Sequence, residues 1–376
     1  MPCSTATKRP NPSRSQPNVL NPDCHHHQPH HPQSDMPNLA VTDYGNHNQG
    51  LFTLPFPSAN WEKTYGRPTL DVVAVHGLNG DCFTSWTGQS PSEPPTVWLN
   101  ELLLQKLPRT RAMTFGYDAS VIGNTSVAGV RGNARKLLLL LRNKREDDGS
   151  LHRPIVFVGH SLGGIIIKQA LTLARNEWKV YGDILTSTKG IVFFGTPHRG
   201  SDVTQWGEVI ANIKAASFGT RARTPFFKFL RPNAKDLLDL SEDFRPIAQN
   251  YALVSFIEEN TFGRLGRVVV ERYSAVMELP HEEQVYIGGD HSSMCKFTRD
   301  DERFDVVWRA IRQASLGPDT GGTFEIRGTY MPQKQPIVGA VSAQGEGVGA
   351  SNRMLPWRPA WYITETVEGI PVSASR

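Results

Sequence analysis

The run Ile155-Val156-Phe157-Val158-Gly159-His160-Ser161-Leu162-Gly163-Gly164 constrains this chain more than any other. Four consecutive apolar residues read as a strand buried on both faces. The strand ends at Gly159, and from Gly163 to Ala174 the apolar residues recur at helical spacing. Ser161 therefore sits on a tight turn between strand and helix, with glycines on either side that let the turn fold back without collision. A serine hydroxyl is a weak nucleophile at neutral pH and needs both an accessible position and a base. The turn supplies the position, and the helix start brings backbone N–H groups near the reacting atom. G-x-S-x-G alone recurs by chance. The strand and helix around it make Ser161 the candidate nucleophile.

The surrounding pattern predicts a matching sheet. Val72 to Val75 reads as a buried strand ending at His76-Gly77, and Ala112 to Tyr117 as another. Gly190 to Phe194, Leu253 to Ile257, Val268 to Val270 and Val285 to Ile287 complete the expected strands. Helices are expected over Trp98 to Leu107, Val127 to Arg142, much of 202–250, and Asp301 to Gln313. Apolar strands alternating with helices indicate a mostly parallel central sheet covered on both faces.

A serine nucleophile in such a sheet is followed in the chain by an acid and then a histidine. The histidines after Ser161 include His198, His281 and His291. His198 comes too early to follow an acid placed after the next strand, and His281 precedes the Val285 strand. His291 lies in Gly288-Gly289-Asp290-His291-Ser292 at that strand's end, where a catalytic imidazole is wanted. The acid belongs after Leu253 to Ile257. Glu258 and Glu259 stand at that strand end, Glu258 is preferred, and Glu271 and Asp290 are the fallbacks. Its task would be to hold the imidazole tautomer and stabilise the imidazolium. An oxyanion forming during acyl transfer needs two backbone donors. Leu162 follows the serine, and Leu78 lies in the loop His76-Gly77-Leu78-Asn79-Gly80; these are the candidates.

Composition bounds the rest. Residues 1–60 are rich in Pro, Asn, Ser and His and lack a hydrophobic period, and 316–376 turns Gly/Pro/Ser-rich again. Both read as disordered tails around a domain at 61–315. The histidines at 25–27, 30 and 31 read as a solvated low-complexity tract rather than a metal site. With 40 basic and 36 acidic residues (net +4) and no Lys/Arg run, charge offers no case for nucleic acid. The four cysteines lack C-x-x-C spacing, and no motif calls for a metal or organic cofactor. The N-terminus lacks a secretory signal's apolar core, and no apolar stretch approaches the ~20 residues of a membrane span. These features favour an intracellular, cytoplasmic protein, with a mitochondrial or membrane-associated one as the alternative. Phe218, Phe226, Phe227 and Phe229 among basic residues in 216–232 read first as a core-packed helix. A cap making peripheral contact with anionic lipid is the second reading.

In order, the motifs VVAVHGLNG, WLNELL, TFGYDA, VFVGHSLGG, GIVFFGTPHRGS, SFIEEN and GGDHSSMCKF resemble one lipase-like group. It is the serine active-site-containing protein family, close to the GPI inositol-deacylases and the putative serine esterases, and the resemblance spans residues 70–312. It implies an α/β-hydrolase fold and action on lipid esters. By position it carries a catalytic role onto Ser161 and His291, and onto Glu258 through the SFIEE segment, where Ile257 stands in place of an aromatic. Similar domains in fungal proteins precede NACHT modules, but no GxxxxGK[ST] phosphate loop is present here. The expectation is a serine esterase. Acyl transfer through the same residues, and a catalytically idle recognition or signalling module, are its rivals.

Overall fold

Among the described residues nine short segments adopt extended backbone, and seven of them, mostly apolar, pair into a single sheet. The computed structural model describes residues 49–118, 127–199, 208–209, 211–213, 215–216, 227–263 and 265–318. In chain order the elements begin with β1 (Gly50–Thr53), α1 (Trp61–Tyr65) and β2 (Leu70–Val75). Next come β3 (Thr87–Ser90), β4 (Glu93–Val97), α2 (Trp98–Glu101), α3 (Leu103–Lys106) and β5 (Thr110–Gly116). The middle of the chain forms α4 (Val127–Asp147), β6 (Ile155–His160), α5 (Leu162–Asn176), α6 (Trp178–Ser187) and β7 (Thr188–Phe194). The last are α7 (Phe227–Ala248), β8 (Ala252–Glu258), α8 (Arg272–Ala275), β9 (Glu282–Ile287) and α9 (Arg303–Ser315).

The sheet order is β1-β5-β2-β6-β7-β8-β9. All neighbours are parallel except β1 and β5. The alternation of side chains divides the core cleanly. Val73, Val75 and Phe157 point to the face covered by α4, α5 and α7. Val72, Ala74, Val156 and Val158 point to the face covered by α2, α3 and α9. Each fully buried Val, Leu, Ile or Phe contributes about 1.5–3 kcal/mol relative to exposure, so the strands are held from both sides. The chain leaves β2 for β5 on one side and reaches β6 on the other, so the connections diverge between β2 and β6. In parallel sheets that divergence opens a crevice beyond the strands' C-terminal ends. The loops after β2 and β6 both start there.

The opposite end of the same strands is closed by charge. Asp71, fully buried at the start of β2, accepts a bidentate pair from Arg111 (2.9 and 2.8 Å). It also accepts from Arg145 (2.6 Å) and Arg153 (3.0 Å). This ties β2, β5, α4 and the entry to β6 together.

Several expectations change in detail. Gly50–Thr53 lies within the tail expected over 1–60, yet it pairs with β5 from Gly50↔Gly116 to Thr53↔Met113. Ordered structure thus starts before residue 61, because β5 presents an edge that these residues satisfy. Val268 to Val270 is not a strand. The N–H groups of Val269 and Val270 are taken by a carboxylate rather than a neighbouring strand. The expected Trp98 to Leu107 helix is divided at Leu102, whose angles stay right-handed helical (φ −98°, ψ −44°). The antiparallel pair β3–β4 was not anticipated from the sequence. Residues 1–48 and 319–376, most of 200–226 and the side chains of 227–236 lie outside the described residues. The tail readings, the histidine tract and the Phe/Arg segment at 216–232 fall there. Among the described residues no helix is long and apolar enough to cross a membrane.

Candidate active site

The turn after β6 is strained in a directed way. Ser161 has φ 53° and ψ −121°, a backbone conformation rare outside glycine. Its N–H donates to Phe194 O at the end of β7 (2.8 Å), and Gly164 N–H closes back on Ser161 O (3.2 Å). The neighbours must be small. A Cβ on Gly163 would lie 2.0 Å from Val75 O, and one on Gly159 would lie 2.7 Å from Gly164 Cα. Helix α5 can therefore start directly against β2.

Ser161, His291 and Glu258 form one hydrogen-bonded chain. Ser161 Oγ–H donates to His291 Nε2 at 2.9 Å. His291 Nδ1–H donates to Glu258 Oε1 at 3.2 Å, the tautomer following from the two partners. Glu258 is fixed in turn by Val270 N–H on Oε1 (2.6 Å) and Val269 N–H on Oε2 (2.9 Å). All three side chains are buried. Ser161 follows β6, Glu258 ends β8 and His291 follows β9, so three C-terminal strand ends converge. The serine thus has an acceptor for its proton, and the imidazole has an anion behind it.

The alternative residues are placed elsewhere. Glu259 and Glu271 are exposed. Asp290 shapes the turn, accepting from the N–H groups of Ser292 (3.1 Å) and Ser293 (2.9 Å). His281 faces Ala248 O (3.2 Å). His198 is fully buried beside Lys168, whose Nζ stands 3.4 Å from its Nδ1 and donates to Pro197 O (3.1 Å). Burial and the neighbouring Lys168 charge hold that imidazole well below the usual histidine range. Burial pushes Lys168 itself down to about 7.

Two further histidines shape the site. His160, beside the serine, donates from Nε2 to His291 O at 2.7 Å. Burial, followed by the nearby His291, lowers its pKa to about 3, so it stays neutral and pins the backbone of the catalytic-type histidine. The sequence held its signal in plain view, as the variable residue of G-x-S-x-G. His76 stacks on Tyr117 with ring centroids 4.3 Å apart. Its Nδ1–H meets Gly77 O (2.9 Å), and Tyr117 OH donates to His76 O (2.8 Å). Burial lowers its pKa to about 4. Its work is to shape the loop after β2, and that loop runs against the nucleophile: a Cβ on Gly77 would lie 2.9 Å from Ser161 Cβ. Leu78, in this loop, lines a cleft of about 170 Å³ together with Asn79, Ser85, His160, His291 and Lys296. Leu162 opens α5, where the first N–H groups lack intrahelical acceptors. The far wall of His291 is Gly195, at φ +50°; a Cβ there would lie 3.0 Å from His291 Nδ1. No group of metal-ligating side chains occurs among the described residues.

A Ser, then Glu, then His chain order separates α/β-hydrolases from other folds that assemble the same three side-chain types. With a mostly parallel sheet and the serine turn after a central strand, it is the class to which this fold belongs. Within that class, residues 70–222 match the family described as "Putative serine esterase (DUF676)". Protein SERAC1 of Bos taurus is 26% identical over 205 residues, covering 50% of this chain and 30% of the relative. Protein SERAC1 of Danio rerio is 27% identical over 247 residues, covering 60% and 36%. The chain spans about a third of the length of these curated relatives. The motif resemblance and these matches name the same group. Among solved structures, Bacillus licheniformis lipase BlEst2 in mature form aligns at 19% identity over 69% of this chain and 96% of that one, with a TM-score of 0.44. The NocB thioesterase domain aligns at 16% identity over 71% and 100%, with a TM-score of 0.38.

Proposed function

We propose that the protein is a serine hydrolase of carboxylic esters that works through an acyl-enzyme on Ser161. The observation that carries this reading is the unbroken relay from Ser161 Oγ to His291 (2.9 Å) and on to Glu258 (3.2 Å). His291 Nε2 takes the serine proton as Oγ bonds to the acyl carbon. Glu258 keeps Nδ1 protonated and offsets the imidazolium charge. The N–H groups of Leu78 and Leu162 receive the oxyanion; losing one such donor typically costs ~2.7–4 kcal/mol of barrier. The tetrahedral intermediate collapses with the proton passing from Nε2 to the departing alcohol. Water then repeats the sequence on the acyl-enzyme and releases the acid. A hydrophobic or lipid ester is the proposed substrate, on the resemblance to lipase-like proteins alone. An acceptor alcohol in place of water would turn the same steps into acyl transfer.

Fluorophosphonate labelling tests the reading. Wild-type protein should label covalently at Ser161, and Ser161→Ala should not. Equal absence of label from both would leave a hydrolase fold without hydrolase chemistry. A panel of short- and long-chain esters, read by acid release, then orders the acyl preference.

A further inference from the structure

One cation in the cleft has no part in the serine relay. Lys296 lies five residues after His291 and is one of the residues lining the cleft. Apart from the imidazoles of His160 and His291, it is the one ionisable base or acid side chain among the described lining residues, Cys295 having its thiol pushed up to about 12 by burial. It is half-buried. No carboxylate among the described residues forms an ion pair with it. Of the acids near it in sequence, Asp290 accepts from the Ser292 and Ser293 N–H groups, Asp301 pairs with Arg303, and Asp300 is exposed and forms no ion pair with Lys296 among the described residues. The backbone that presents Lys296 is fixed. Its N–H donates to Ser293 O (3.1 Å), its carbonyl accepts from Arg303 Nη2 (3.0 Å), and Cys295 and Phe297 on either side are fully buried. Its charge is felt at the nucleophile turn, where it helps lower the basicity of His160.

A half-buried ammonium without a carboxylate partner favours an anionic visitor, because charge-assisted hydrogen bonds strengthen as water is excluded. Asn79, Ser85 and Ser292 add neutral hydrogen-bonding groups to the same walls. We propose that Lys296 is a specificity determinant that selects esters carrying an anionic group, a carboxylate or a phosphate, close to the scissile bond. This rests on the ester-hydrolase reading and names the substrate class of that site.

The test uses matched ester pairs with the full chain. 4-Nitrophenyl hemiadipate against 4-nitrophenyl hexanoate places the charge on the acyl side. 3-Carboxyphenyl butyrate against 3-carbamoylphenyl butyrate places it on the alcohol side. Each kcat/KM is divided by the ester's uncatalysed alkaline rate, and active enzyme is counted by fluorophosphonate titration. In at least one pair the wild type should favour the anionic member. Lys296→Gln should reduce that preference ~10-fold, Lys296→Glu should invert it, and Lys296→Arg should retain it. For wild type alone, raising ionic strength from 20 to 500 mM should shrink the preference, which keeps the proposal testable should a variant not fold. The pair that responds identifies the side on which the anion is carried. Ratios unaltered by Lys296→Gln and by salt overturn the proposal, as does an equal fall for both members of every pair. Those results leave the hydrolase reading standing; absence of both labelling and turnover in wild type removes the hydrolase reading itself.

Discussion

At Ser161 the backbone holds a conformation that typically costs ~1–3 kcal/mol for a non-glycine residue. Gly159 and Gly163 leave room for it, and the hydrogen bonds of Ser161 N–H to Phe194 O and of Gly164 N–H to Ser161 O hold it, so the strain serves to aim Oγ at His291. Glu258 is over-determined in the same sense: two backbone donors and one imidazole leave it a single arrangement. Glu258→Gln should keep the fold but lower kcat by about 10³–10⁴-fold, since an amide stabilises the wrong imidazole tautomer and carries no charge. Steady-state ester hydrolysis reads this directly. His160 acts one step removed, through the carbonyl of His291. His160→Phe should lower kcat about tenfold with KM little changed, the split expected when an acid–base group is misplaced and binding is not. The sequence pointed to Glu258 by its strand end but left Glu259 open. Burial separates the two: Glu258 is the last residue of β8 and is enclosed under the Val269–Val270 backbone, whereas Glu259 lies just past the strand and is exposed.

Among elements, the contact between α5 and β2 decides how the site is built. A Cβ on Gly163 would stand 2.0 Å from Val75 O, so only glycine lets the helix start directly against β2. Gly163→Ala should therefore force the helix away from the sheet, costing several kcal/mol and removing fluorophosphonate labelling together with stability, as thermal melts would report. The Asp71 cluster is the element-scale lock at the other end of the strands. Asp71→Asn leaves Arg111, Arg145 and Arg153 facing one another without a buried anion, and should destabilise by about 3–5 kcal/mol in urea titrations. Activity of the remaining folded enzyme should be near normal, because the cluster lies at the ends of the strands remote from the serine turn. The Val268 to Val270 segment teaches the opposite lesson. Its β-branched run has strand propensity, yet the carboxylate of Glu258 outcompetes a strand neighbour for its donors.

For the whole molecule, three neutral histidines, His76 and His198 buried and His160 half-buried, lower stability in acid. His76, His160 and His198 all have pKa values depressed by burial, to about 4 for His76 and about 3 for His160. Unfolded, each titrates near 6.5. Above that pH they are neutral in both states and their contribution to stability is complete. As pH falls below 6.5 the unfolded chain binds protons that the native state refuses, so stability declines, by up to ~1.4 kcal/mol per pH unit for each group. The decline from His76 and His160 ends only near their folded values. Urea midpoints followed from pH 7.5 to 5 should show this slope, and His160→Phe should show it reduced by one proton's worth. An unchanged slope in that variant would contradict a neutral His160.

Periodicity and motif order were enough to read the sheet-and-helix alternation, the serine turn and the position of His291, because those features depend on neighbours within a few residues. The edge strand at Gly50–Thr53 was invisible, since four residues of weak pattern become a strand only when β5 offers them an edge. The partner of Glu258, the pinning of His291 by His160 and the cleft position of Lys296 were invisible for a related reason. Each joins residues that are 11 to 131 positions apart or that line a space no single segment encloses. Local chemistry chose which residues were fit for the work. Tertiary packing decided which of them meet, because only the folded sheet brings its strand ends to one point.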